Sequence, residues 1–300
     1  TSNSSINHFS NLFFLILSLF LVILEISLKS IRLRVLASSI AQIPLRSAFV
    51  STLVGFPFAT VTPGRVGDLI KVYTLSQKTS LPLQKSLAVG VFEKILDLIS
   101  LFLLVTLGIT ILALQGIIAT GLLYLLLPIA LIGFVILAAL NKKLVNVFLK
   151  YAYVKLIPLK YRDHTETAFD NFYSALSDIW KHKKNLGQVL ALAVFLWANR
   201  ILLVLLFALA LGIEVQLKYF FFIIPITFAA EILPVSVMGL GTREYTFILL
   251  FSLVGINKEA AVAISLLVFM FGILPPAVIG YFVALKEYGG MGNIKKVMNP

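Results

Sequence analysis

Apolar residues run along this chain in blocks long enough to cross a bilayer, and two further blocks are cut short by proline and glycine. Residues 12–28 form the first run, closed by Lys29, Arg32 and Arg34. Residues 48–61 are apolar but short, hold Pro57, and lead directly into Pro63-Gly64-Arg65. A helix is predicted from about residue 86 to 107, with Glu93, Lys94 and Asp97 in its first half. Residues 98–140 carry no charge, which predicts the rest of that helix, a turn near Gln115-Gly116, and a further span at 117–140. Residues 186–211 span again, with Asn199 and Arg200 near the middle. Residues 217–233 stop at Pro234, and 245–254 make a second short run. Neither is a full crossing alone, since about 20 apolar residues are needed. Residues 260–285 form the last span, followed by Lys286, Lys295 and Lys296.

The two interrupted segments resemble each other. FPFATVTPGRVGDL (residues 56–69) and ILPVSVMGLGTREY (residues 232–245) are apolar, break at proline, pass through glycines, and end on an arginine with a carboxylate close behind. Broken apolar segments in corresponding places of two half-chains point to a transporter's binding site. The segment between the halves, residues 141–184, is rich in lysine. Phe169, Phe172, Tyr173, Leu176 and Trp180 recur there at helical spacing, which predicts an amphipathic helix. That helix packs on the protein's own base, lies in the membrane interface, or belongs to a soluble hairpin joining the halves.

Composition fixes the class. The chain is 60% hydrophobic and only 13% charged, which a soluble domain does not reach, so an all-α polytopic membrane protein is expected. Its net charge of +12 reflects lysines and arginines beside membrane spans and not a nucleic-acid surface. With no cysteine, disulfides and thiolate metal sites are excluded. His8, His164 and His182 have no metal spacing, and no nucleophile–base pair or phosphate-cradling loop is present. The expectation is therefore a non-enzyme without a cofactor. The first apolar run is too long for a signal peptide, and Asn3-Ser4-Ser5 fits a glycosylation triplet.

One transmembrane domain over residues 1–300 is expected, with one half-repeat at about 12–107 and the second at about 186–285. A linking span at 117–140 and the amphipathic linker at 141–184 lie between them. The positive-inside rule puts residues 29–46, 142–184 and the C-terminus in the cytoplasm, and Thr1 outside. The first broken hairpin then enters from the cytoplasm and the second from outside, so the two halves are inverted. Cell-membrane, multi-pass localisation follows.

Charge at membrane depth is costly, about 2.5–3.5 kcal/mol per group, so such residues pair or line a wet cavity. Arg65 with Asp68 and Arg243 with Glu244 are the first candidates for a substrate site, flanked by Gly64, Gly67, Gly239 and Gly241. The glycines permit tight backbone, and free amides at a half-helix start suit a phosphate. Alternatively each arginine simply pairs with its neighbouring carboxylate and holds the hairpin in place; both can hold at once. Glu93 and Asp97, four residues apart, share one helical face. They would partner Arg65 or Arg243 or bind a coupling cation; alternatively Glu93 lies near the interface beside Lys85 or Lys94. Arg200 has Glu231 as its nearest expected partner, and Glu25, close to a span end, snorkels or pairs with Lys29.

At these residues the chain resembles a known family. TVTPGRVGDLIKVYTL (60–75), VFEKILDLISL (91–101) and ILPVSVMGLGTREYTF (232–247) are similar to motifs of the lysylphosphatidylglycerol synthetase/flippase transmembrane-region family. That family also includes archaeal proteins linked to N-glycan assembly and further bacterial membrane proteins. Its pattern usually has Glu where Asp68 stands and Arg where Lys94 stands, and both changes keep the charge. Its members often carry one more N-terminal span. The residues hold no soluble aminoacyl-transferase domain, so lipid lysylation is not expected of them. The resemblance implies the flippase-like activity: moving a phospholipid or lipid-linked anionic headgroup between leaflets. The carboxylates would pair with the arginines when no headgroup is bound. Two other readings are an ion-coupled small-solute transporter and a non-transporting membrane subunit of a glycolipid or N-glycan assembly machine. Expected partners are a membrane lipid and either a second copy or a glycolipid-pathway protein, and no nucleic acid.

Overall fold

The computed structural model describes residues 2–62, 67–114, 116, 165–232 and 236–289. All regular structure among these residues is helical. Helix α1 (Ser2–Ala37) is followed by α2 (Leu45–Val61), α3 (Asp68–Lys78) and α4 (Leu83–Leu114). Then come α5 (Thr165–Lys181), α6 (Lys183–Ala210), α7 (Leu217–Ile232), α8 (Thr242–Ser252), α9 (Lys258–Leu267) and α10 (Leu274–Tyr288). Among the described residues, four stretches are long and apolar enough to cross a membrane: Phe13–Ala37, Leu83–Ile111, Lys183–Ala210, and Lys258–Tyr288 taken through α9 and α10.

Local chemistry sets the breaks. Pro275 and Pro276 lack the N–H that an α-helix needs, and the chain answers with a π-helical turn at Val268–Ile273 just before them. Around the first break, Thr62 donates its hydroxyl to Phe58 O (2.7 Å) and accepts the Gly67 amide (2.7 Å), fastening both flanks. Gly67 is obligatory here, because a Cβ would lie 2.1 Å from the Phe58 carbonyl carbon and oxygen. At the second break Met238, Gly239 and Gly241 all have positive φ, at 58°, 72° and 81°. The Met238 amide donates to Thr60 O at 3.1 Å, so the end of α2 and the second break are bonded directly to each other.

Helices α1 and α6 pack along their length and run antiparallel. Asn185 reaches Val35 O and Ser39 Oγ, whereas Asn199 reaches Leu21 O. Two further contacts join helices far apart in the chain. Helix α2 lies on α10, where Gly280 lets the Leu53 carbonyl approach to within 2.2 Å of where a Cβ would stand. Helix α4 lies on α7, where Gly108 admits Phe222 in the same way. The helices before the two breaks, α2 and α7, are thus seated on α10 and α4 respectively. The main apolar core sits between α1, α6, α7 and α8 and includes Phe207, Phe220, Phe222, Phe247 and Phe251.

Helix α5 is amphipathic and packs on α4. Phe172 and Ala175 bury against Ala88, and Trp180 meets Phe92 edge-on with ring centroids 5.4 Å apart. This segment of the linker therefore packs on the protein itself. The expected span at 117–140 and the linker residues 141–164 lie outside the described residues.

Candidate functional site

The charged side chains of the spans and hairpins meet inside the bundle in three connected groups. In the first, Arg32 on α1 donates to Glu93 Oε1 (2.8 Å) and to Asp97 Oδ1 (2.6 Å), both on α4. Lys71 on α3 donates to the other Glu93 oxygen at 2.6 Å. Glu93 is therefore a bridge between α1 and α3, and it is only 3% exposed, with Arg32 at 4%. Lys94, one residue further on, pairs with Asp68 at the start of α3. The shared carboxylate offsets the burial of both cations, and removing it leaves two buried positive charges short of a partner.

In the second group Glu25 on α1 holds Lys29 (2.7 Å) and Arg200 of α6 (3.0 Å). The Arg200 guanidinium lies over the Phe228 ring at 4.6 Å and near Trp197 at 5.2 Å. In the third, Arg243 at the start of α8 is 1% exposed. Its Nε donates to Ser265 Oγ (2.9 Å) and Nη2 to Glu244 Oε1 (3.3 Å), while Nη1 stands 3.6 Å from Glu231. Ser265 in turn donates to Glu244 (2.7 Å), whose other oxygen accepts the Gly241 amide at the helix start. The negative side chain there satisfies a free amide and complements the positive helix end.

Two clefts expose these groups. The larger encloses about 770 Å³ of non-atom space including its open mouth, between α1, α6, α7 and the π-helical turn. Its charged lining is Glu25, Lys29, Arg200, Glu231 and Arg243. The smaller is lined by Arg32, Asp68, Lys71, Glu93, Lys94 and Asp97. Lys29, Phe56 and Arg200 belong to both walls, so the clefts adjoin. Among the described residues no cluster of His, Cys, Asp or Glu suits a metal.

Several expected pairings are corrected by these contacts. Glu93 and Asp97 meet Arg32 and Lys71, not Arg243, and Glu93 is not an interfacial partner of Lys85 or Lys94. Arg200 takes Glu25, and Glu231 takes Arg243. The reason is the length of α1: it runs unbroken to Ala37, so Lys29 and Arg32 are not loop residues beyond a span but side chains of an inward face. Glu244 does pair with Arg243, and Glu25 with Lys29. Gly239 packs beside the Glu231 side chain, where an added Cβ would lie 3.0 Å from its Cγ. Arg65 and Gly64 lie outside the described residues. Sequence reasoning missed Arg32, Lys71 and Ser265 as members of the site. A signal was available: Glu25, Lys29 and Arg32 are spaced i, i+4, i+7, one stripe of a helix, facing an acidic i, i+4 pair on α4.

Spanning helices, two interrupted hairpins bonded at their breaks, and charge gathered inside the bundle define a multi-pass helical membrane protein. Residues 3–280 match the family described as the lysylphosphatidylglycerol synthase TM region, and the chain belongs to that family. The family points to a membrane-lipid-related function. A search of curated proteins finds no match.

Proposed function

We propose that the chain is a flippase-like translocase that carries a phospholipid or lipid-linked anionic headgroup between leaflets without altering it chemically. The observation that carries this reading is the pair of adjoining charge-lined clefts with Lys29, Phe56 and Arg200 in their common wall. Charge within a membrane bundle ordinarily serves a polar ligand or an ion path. On α1 alone, Glu25, Lys29 and Arg32 are spread over seven residue steps, about 10 Å of helix rise. A headgroup moving along that stripe exchanges ion-pair partners while its acyl or prenyl chains stay in lipid.

The antiparallel packing of α1 with α6, and the reciprocal seating of α2 on α10 and α4 on α7, support two inverted half-repeats. In this reading Arg65 and Arg243 attract the phosphate from opposite sides. Asp68, Glu93, Asp97, Glu244 and Glu231 neutralise the cations between cycles. The lysine-rich linker faces the cytoplasm, with the protein in the cell membrane.

The test is reconstitution in vesicles carrying a headgroup-labelled phosphatidylglycerol, with reduction of the outer-leaflet label by dithionite. The wild type is expected to expose inner-leaflet label faster than empty vesicles, and Arg243→Ala to abolish the gain. Arg243→Lys keeps the charge and serves as the folding control. Uptake of a soluble anion into the same vesicles with no movement of labelled lipid would overturn the lipid reading in favour of a solute transporter.

A further inference from the structure

Thr227 is out of keeping with its surroundings. Among the described residues, the helical threonines Thr52, Thr60, Thr74, Thr106, Thr110 and Thr246 all donate to a carbonyl of the preceding turn. Thr62 and Thr79 at helix ends do the same, and Thr242 reaches Ser236. Thr227 is 3% exposed, and its hydroxyl has no partner among the described residues. A buried hydroxyl without a hydrogen bond is costly, and in a native structure it asks for an explanation. It lines the larger cleft.

Arg200 lines the same cleft, its guanidinium held over the ring of Phe228, the next residue of α7, at 4.6 Å. Arg200 uses only Nε, for Glu25; among the described residues its two terminal nitrogens make no hydrogen bond. The aromatic faces of Phe228 and Trp197 hold the guanidinium plane, so the open edge of the fork is fixed in direction. The charges lining this cleft are three cations, Lys29, Arg200 and Arg243, against two carboxylates, Glu25 and Glu231. The lining is therefore positive by one.

We propose that Thr227 and Arg200 form the anchoring site for a phosphodiester monoanion, the terminal N–H groups of Arg200 donating to one non-bridging oxygen and the Thr227 hydroxyl to the other. A fork and a neutral donor suit a singly charged diester, and the positive lining of the cleft matches it. Arg243, whose guanidinium is already committed to Ser265, Glu244 and Glu231, attracts the anion at longer range. This inference rests on the lipid-translocation reading and names the atoms that hold the headgroup.

Trp197 supplies a reporter beside the site, since Trp180 is the only other tryptophan in the chain. The Trp180→Phe protein in amphipol is titrated with dihexanoyl phosphatidylglycerol, with dimethyl phosphate, and with dihexanoylglycerol, which has no phosphate. Saturable change in Trp197 emission is expected with the phospholipid and none with dihexanoylglycerol. Thr227→Val should weaken phospholipid binding about ten- to a hundredfold, the range for losing a hydrogen bond to a charged group, while Thr227→Ser retains it. Without ligand, Thr227→Val should unfold at the wild-type temperature or above it, because the hydroxyl it removes has no partner. Unchanged phospholipid affinity in Thr227→Val would overturn the anchor, and so would a lowered unfolding temperature, which would reveal a structural partner. Dimethyl phosphate binding as tightly as the phospholipid would support the anchor and overturn the lipid as its source. If the wild type moves labelled lipid in vesicles but shows no saturable emission change, the anchor fails and the translocation reading stands. Binding that depends on Thr227 without lipid movement supports the anchor and overturns the translocation reading.

Discussion

Replacing Glu93 by glutamine removes the single carboxylate that Arg32 and Lys71 share. Glu93 is 3% exposed and accepts one short bond on each oxygen, at 2.8 and 2.6 Å. Glutamine offers one acceptor oxygen, and its amide presents N–H groups to whichever cation occupies the other side. Arg32 keeps Asp97, but Lys71 is left with only the more distant charge of Asp68. Removing one partner of a buried pair ordinarily costs about 3–5 kcal/mol. Because Asp97 and Asp68 compensate in part, the lower end, about 3 kcal/mol, is expected here. For a chain of 300 residues that lowers the unfolding midpoint by about 5 °C. The midpoint is read from tryptophan emission in detergent micelles. A double variant, Glu93→Leu with Lys71→Met, should recover part of the loss, since an apolar replacement of a buried pair is often near neutral. A single variant within about 1 kcal/mol of wild type, or a double variant as unstable as the sum of its parts, would refute the bridging role.

Asp68→Asn should contrast with that result: its pair with Lys94 is 20–40% exposed, so a stability change below about 1 kcal/mol is expected on the same melts. Gly67→Ala puts a methyl into the Phe58 carbonyl and should lower both the folded yield on gel filtration and the unfolding midpoint. Gly280→Leu should fail in the same way by lifting α10 off α2, with Gly212→Ala, where nothing lies within 4 Å, as a milder comparison reflecting only its positive φ. Ser265→Ala removes a donor to Glu244 and an acceptor from Arg243, and should cost about 1–3 kcal/mol in the same melt.

Much of the scaffold could be read from the sequence because membrane spans and helix breaks are local signals. The first apolar run, the helix ends at Val61 and Ile232, and the apolar stripe through Phe172 and Trp180 are each written within one or two turns. The pairings are not local. Arg32 and Glu93 are 61 residues apart, and Glu25 and Arg200 are 175 apart. Composition gives several cations of equal plausibility for each carboxylate, and only the packing of α1 against α4 and α6 selects among them. Treating Lys29 to Arg34 as a loop because they follow an apolar run hid the inward stripe. A basic residue after a span is equally compatible with a helix that continues, as α1 does. Thr227 was invisible for another reason: a threonine in an apolar helix normally bonds to its own backbone, and its exception exists only in three dimensions.

The seating of α2 on α10 also has a consequence for biosynthesis. Leu53 must wait for Gly280, which leaves the ribosome 227 residues later. At a synthesis rate of about 5–20 residues per second this is roughly 10–45 s. Through that interval the α10-facing surface of α2 is uncovered, and for most of it the Thr60 carbonyl lacks its Met238 donor. The second hairpin has no such delay, because α4, which receives α7, is already in place when α7 emerges. The early half of this chain therefore depends on whatever shelters an incomplete helical bundle beside the insertion machinery. Depletion of membrane insertases or chaperones should reduce its yield more than that of a protein whose helices pack in order of synthesis.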